Sequence, residues 1–347
     1  MSIAFVIGTR PEAIKLAPVV DAARRAKLPV GVVTTGQHPD LLPPTLRELG
    51  LVPDVELSAS RLNEMVGALQ GAIKRGRSRL VVVQGDTRTA MAGALAAKLS
   101  ALPLAHVEAG LRTGNHLDPF PEELFRTAIG RLADLHFAPT PGAADNLKGE
   151  CVGGRIEVVG NPVIDSLTQI AGLGRPAGPA GNEGKHILIT VHRAENEGAR
   201  LTEILGAAAV LAAEDASVTV IRHPRLAWTR MRDHAGPSVR IVPPLPHSAF
   251  IDRLCAADLV ISDSGGVQEE AARLGKRMIV CRNATERPEA LAEGERILVP
   301  PQRSALVEAA RALLASPVPT TREEAFGDGR SGQRIAEMLA DHLMAAC

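Results

Sequence analysis

The chain contains no tyrosine, which excludes enzymes that couple NAD to a Tyr-Lys proton relay. Its four cysteines, Cys151, Cys255, Cys281 and Cys347, form no CxxC motif. Neither a zinc site nor a disulfide framework is suggested. HExxH and paired-histidine spacings are also missing, so no metal is expected. No apolar run approaches the roughly 18 residues of a membrane span. Net charge is absent too: 39 basic residues balance 39 acidic ones. That removes the electrostatic case for nucleic acid or an anionic membrane as main partner, and leaves room for a local basic pocket holding a small anion. The start, MSIAFVIGTRPE, has no basic n-region and runs straight into strand chemistry, unlike a signal peptide. A soluble cytoplasmic protein is the expectation.

What is present is apolar and periodic. An apolar fraction of 45% is ample for packed cores, and 347 residues suggest two domains. Ile3–Ile7 reads as a buried strand. It turns through Gly8-Thr9-Arg10-Pro11-Glu12 into a helix with apolar residues at helical spacing. Arg10 and Lys15 sit beside that helix start, where an anion is favoured. Strands at 30–34, 80–83, 104–107, 135–138 and 155–159 alternate with helices at 61–75, 88–101 and 122–133. Residues 171–184, AGLGRPAGPAGNEG, carry no periodicity and read as a linker or exposed loop. The pattern then restarts at His186–Val191, followed by His192-Arg193-Ala194-Glu195-Asn196. Strands at 218–221, 239–242, 259–262 and 278–280 alternate with helices at 201–214, 225–235, 248–256 and 267–274, before a last helix at 332–343. The expected fold is α/β, with two doubly wound, parallel-sheet (Rossmann-like) domains facing a cleft. The first covers 1–165, joined by the C-terminal helix 332–347, and the second covers 166–331.

Residues 79–137 concentrate acids at element junctions. The strand 80–83 stops at Gly85-Asp86, the strand 104–107 at Glu108, and Glu122-Glu123 follows Pro-Phe-Pro, with Arg126 one turn later. Taken singly, Asp86-Thr87 could cap a helix and Glu122 could be a first-turn acid. Three acids at the sheet edge where open α/β folds bind ligands point instead to a site.

In the second half, Ser262-Asp263-Ser264-Gly265-Gly266 follows a strand and opens a helix. Small residues there let amides approach an anion, and Gln268, Glu269 and Glu270 are expected in the first turn. A Glu one turn in would suit ribose hydroxyls. A literal GxGxxG at Gly327–Gly332 follows a Pro-rich loop rather than a strand, and is discounted as a dinucleotide fingerprint. His106, His136, His186, His223 and His234 read as packing or surface residues. His192 stands apart at a strand end.

These motifs carry a resemblance. GTRPEAIKLAPV at 8–19, VVQGDTRTAMAGALAA at 82–97 and HVEAGLRTGNHLDPFPEELFR at 106–126 are similar to the non-hydrolysing UDP-N-acetylglucosamine 2-epimerases. VGNPVIDSL at 159–167, VHRAEN at 191–196, SDSGGVQEEAARLGK at 262–276 and RNATERPEA at 282–290 extend it over nearly the full length. The resemblance implies a glycosyltransferase-B-like architecture, a homodimer, and reversible interconversion of UDP-GlcNAc and UDP-ManNAc without NAD or an essential metal. It places Arg10 and Lys15 on the nucleotide phosphates, and Asp86, Glu108, Glu122 and Arg126 at the sugar. His192 would face the diphosphate, Phe250 the uracil, Ser264, Gly265 and Gly266 phosphate, Glu270 the ribose, and Arg287 the phosphate or sugar side. The chain departs from the family in three places. Ala194 stands where the family has a cation, and His247 follows Pro244-Leu245-Pro246 where Tyr is usual. Gly36-Gln37-His38-Pro39-Asp40 keeps only the start of the loop that serves a second, allosteric UDP-GlcNAc in bacterial members.

Overall fold

The computed structural model describes residues 3–115, 119–171, 185–214, 216–222, 232–317 and 324–345. Two compact units are present, Met1–Gln169 with Ala325–Cys347, and Ile170–Glu324. His223 and residues 172–184 of the expected linker lie outside the described residues, as does most of the helix expected at 225–235.

The first unit runs β1 (Ile3–Ile7), α1 (Arg10–Arg25), β2 (Val30–Thr34), α2 (Leu42–Glu48), β3 (Val55–Glu56), α3 (Leu62–Arg75), β4 (Leu80–Gln84), α4 (Arg88–Leu99), β5 (Leu104–Val107), α5 (Glu122–Leu132), β6 (Leu135–Ala138), α6 (Pro141–Gly149), β7 (Arg155–Val158) and α7 (Pro162–Ala171). All pairings are parallel, in the order β3-β2-β1-β4-β5-β6-β7. The strands β1 and β4, IAFVI and LVVVQ, are buried along their whole length, as expected of a parallel sheet covered on both faces. One face packs Phe5, Leu16, Val20 and Val82, and the other packs Val6, Leu69, Val83 and Ala94.

The second unit repeats the plan: β8 (His186–Thr190), α8 (Ala199–Ala212), β9 (Ser217–Ile221), α9 (Arg232–Ala235), β10 (Arg240–Val242), α10 (His247–Ala256), β11 (Leu259–Ser262), α11 (Gly265–Arg273), β12 (Arg277–Val280), β13 (Arg296–Leu298) and α12 (Arg303–Ala315). Its strands are again all parallel, in the order β10-β9-β8-β11-β12-β13. Each sheet reverses its strand order once, between β1 and β4 and between β8 and β11. A switch point of that kind opens a crevice at the carboxyl ends of the strands. Residues 8–9 and 85–87 sit on those two loops in the first unit, and residues 191–193 and 263–264 in the second.

Helix ends differ from the periodicity reading by a residue or two, and one difference matters. Ser264 takes the extended N-cap conformation, so α11 starts at Gly265. Gly265 and Gly266 are therefore helical, and Glu269 and Glu270 fall beyond the expected first turn. The last helix, α13 (Ser331–Ala345), belongs to the first unit. Ile335, Leu339 and Leu343 join the core beside α1. Asp165 of α7 accepts the Ser331 and Gly332 amides at 3.1 and 2.7 Å. A Cβ on Gly332 would stand 2.7 Å from the Pro18 carbonyl oxygen. The discounted glycine motif is thus part of a helix-docking joint. Among the described residues, no helix is long and apolar enough to cross a membrane.

Candidate active site

In the first unit Asp86 and Glu108 sit just past the carboxyl ends of β4 and β5. Glu108 is the first residue after β5, buried, with φ of 63°. Lys15 of α1 pairs with its Oε1, and Asn161, just after β7, donates to the same oxygen at 2.8 Å. Gln84, the last residue of β4, donates to Oε2. Lys15, expected on phosphate, is thus placed on an acid. Asp86 pairs with the buried guanidinium of Arg126 on α5. Arg126 is held from its other side by Glu123 at 2.7 Å, and Glu123 also accepts the Thr113 amide at 2.9 Å. Glu122, at the first position of α5, is half-buried.

Two residues that the sequence reading left out of the site support this cluster. Glu123 is the more buried of the acid pair, and its three-residue spacing from Arg126 was the available signal. Glu12 is fully buried and makes a capping box with Thr9. Its Oε2 accepts the Gly8 and Thr9 amides, both at 2.7 Å, and its Oε1 accepts the Thr87 hydroxyl at 2.5 Å. One carboxyl thus ties the loop that leads into Arg10 to the loop that carries Asp86. Burial pushes the Glu12 carboxyl up to about 7, against the pull of these donors. His106 Nε2 donates to the Gly85 carbonyl at 2.8 Å. That oxygen can only accept, so Nε2 carries the proton. Burial lowers His106 to about 3, and its role is to brace the turn before Asp86. His136 is engaged in the same way by the Gly153 carbonyl at 2.8 Å.

Gln37 shows what became of the loop at 36–40. Its Oε1 accepts both the amide and the hydroxyl of Thr89, at 2.9 and 2.7 Å. That oxygen therefore serves the start of α4. Gln37 and His38 also line a cavity of about 820 Å³ with Arg47 and Glu56.

In the second unit, Asp263 anchors the site, another residue the reading passed over in favour of its neighbours. It is buried at the end of β11. It accepts the His192 and Arg193 amides at 3.0 Å each and the Asn196 side chain at 2.8 Å, and it pairs with His192 Nδ1 at 2.9 Å. Burial opposes its ionisation, but these donors, His192 foremost, hold the carboxyl well below its usual range. His192 is thereby fixed at the switch point with its ring about one-third exposed. Arg287 is clamped by Glu269 and Glu286, each at 2.5 Å, and Glu286 also holds Arg193 and Arg282. Three guanidinium groups thus share two carboxylates beside the start of α11. Ser264, Gly265 and Gly266 are partly exposed there, and Ser264 makes no side-chain cap. Glu270 is buried against His247, and Phe250 lies one turn along α10 from His247.

The arrangement has two chemical capacities. The first unit gathers more carboxyl groups than cations near the ends of β4 and β5, which suits taking and returning a proton. The second unit presents an open helix start with His192 and three guanidinium groups beside it, which suits an anionic ligand.

Comparison with known proteins agrees with this geometry. A family model described as UDP-N-acetylglucosamine 2-epimerase matches residues 21–340. The UDP-N-acetylglucosamine 2-epimerase of Bacillus subtilis is 36% identical, over 99% of this chain and 96% of its own length. A Staphylococcus aureus MnaA structure with UDP superposes with a TM-score of 0.89 at 32% identity, over 99% of this chain and 96% of that one. A Neisseria meningitidis UDP-GlcNAc 2-epimerase bound to UDP-GlcNAc gives 0.87 at 30% identity, over 98% and 100%. The match spans both units and every motif around the two switch points, and on that ground the chain belongs to the UDP-N-acetylglucosamine 2-epimerase family.

Proposed function

We propose that this chain interconverts UDP-N-acetylglucosamine and UDP-N-acetylmannosamine by eliminating and re-adding UDP through a glycal. The observation that carries the reading is the acid cluster at the carboxyl ends of β4 and β5, with half-buried Asp86 on Arg126 and buried Glu108 on Lys15. The C2 proton beside an acetamido nitrogen is not acidic enough for direct abstraction. If the C1–O bond breaks first, its electron pair leaves with UDP and C1 gains oxocarbenium character. A base then takes the C2 proton and the C1=C2 double bond forms. Protonation of C2 from the opposite face and attack of the UDP oxygen on C1 give the epimer. That sequence needs two proton-transfer groups and cations on the leaving diphosphate.

In this reading Asp86, Glu108 and Glu122 carry the proton transfers, and Lys15 and Arg126 set their charge and orientation. Arg10, His192, Arg287 and the Ser264–Gly266 turn hold the diphosphate. Phe250 faces the uracil and Glu270 the ribose. The working form is a homodimer, which light scattering across a concentration series would test.

The deciding experiment incubates purified protein with UDP-GlcNAc in deuterated water. Deuterium at C2 together with UDP-ManNAc is expected, and Glu122→Gln should lose both. Accumulating UDP with free N-acetylmannosamine would instead identify a hydrolysing enzyme. Binding of UDP-GlcNAc with no exchange at all would overturn catalysis altogether.

A further inference from the structure

We infer that His247 presents the Glu270 carboxylate to the ribose of a bound uridine nucleotide, and so sets the preference for ribose over 2'-deoxyribose. This rests on the assignment of Glu270 to the ribose. His247 is the first residue of α10, and Glu270 is on α11. The two side chains are 3% and 5% exposed, and His247 Nε2 lies 2.9 Å from Glu270 Oε1. A carboxylate partner can only accept when ionised, so Nε2 carries the proton.

This bond orients the acceptor for a diol. The two ribose hydroxyls donate to a carboxylate most effectively when its plane is fixed, and an unanchored Glu side chain rotates about its terminal bond. The Nε2–H occupies one lone-pair direction of Oε1 and holds that plane. The same turn of α10 carries Phe250 three residues on. Ribose and base contacts are therefore set by one rigid stretch of backbone, with His247 as a positioning residue.

The test is calorimetric binding of UDP and 2'-deoxy-UDP, which is independent of turnover. The wild-type chain is expected to prefer UDP by about 10- to 100-fold, the span of a hydrogen bond to a charged group. His247→Phe lacks the donor and His247→Asn cannot reach, so both should reduce the ratio to within about 3-fold. His247→Gln, which extends an N–H toward Glu270, should restore part of it. Glu270→Gln is the control and should also lose the preference. If Phe and Asn variants bind UDP with the wild-type ratio while Glu270→Gln loses it, the role given to His247 is wrong. Should His247→Phe not fold, His247→Asn alone decides the matter. A Glu270→Gln variant that keeps the ratio would remove Glu270 from the ribose. A wild-type chain that binds no UDP would overturn the functional reading itself.

Discussion

Glu108 stands in the left-handed region at the end of β5, a conformation that costs a non-glycine residue on the order of 1 kcal/mol or more. Lys15, Gln84 and Asn161 all donate to it. Replacing it by Gln turns one oxygen into a donor facing other donors. Both Glu108→Gln and Asp86→Asn should therefore lower the rate of C2 exchange by about 10²- to 10⁴-fold, as read by deuterium incorporation. Glu12 makes a different prediction. Its carboxyl sits near 7 in the folded chain against 4.5 ordinarily. The native state thus holds the extra proton between those values, and stability falls as pH rises through that window. Denaturation of wild type and Glu12→Gln between pH 4.5 and 7.5 should show the gap between them move by about 3 kcal/mol in the variant's favour. Asp86, Glu108 and Arg126 were legible as strand ends and a helical turn. Glu12, Glu123 and Asp263 were not, because a buried acid and an exposed helix-start acid look alike until packing removes the water.

At the scale of elements, α11 separates two glycines that look equivalent in the motif. A Cβ on Gly265 would run into the Arg287 guanidinium, and that group cannot swing aside while Glu269 and Glu286 hold it. Gly266 has open space. Gly265→Ala should cost about 1–3 kcal/mol in thermal unfolding and weaken UDP binding. Gly266→Ala should be neutral in stability or gain up to about 1 kcal/mol from helix propensity. The long apolar strands and periodic helices were readable because burial on both faces leaves a continuous signal. The helices α2, α6, α7 and α12 and the strands β3 and β13 were missed. β3 has two residues and β13 three, too few for any period to show. α2 and α6 open on prolines that also punctuate loops.

For the whole molecule, α13 carries the consequence. It returns the chain to the first unit and places Ile335, Leu339 and Leu343 in the core beside α1. Burial of three such side chains is worth about 1.5–3 kcal/mol each, a sum comparable with the stability of a domain. Removing residues 331–347 should leave the first unit open to limited proteolysis, while fragments of Ile170–Glu324 resist it. Asp165→Ala should be milder, about 1–2 kcal/mol, since it strips the amides at the helix start but keeps the apolar contacts.

The longer strands and helices, the parallel sheets and the motif positions followed from the sequence, because hydrophobic period and loop chemistry are local. The sequence also made the family legible, through long motifs in a fixed order. Only the tertiary structure decided which charges meet. It set Lys15 on Glu108, Arg126 between Asp86 and Glu123, and Asp263 beneath His192. Those pairings join residues from different strands and helices, and their energies depend on distance and desolvation, which no linear pattern encodes.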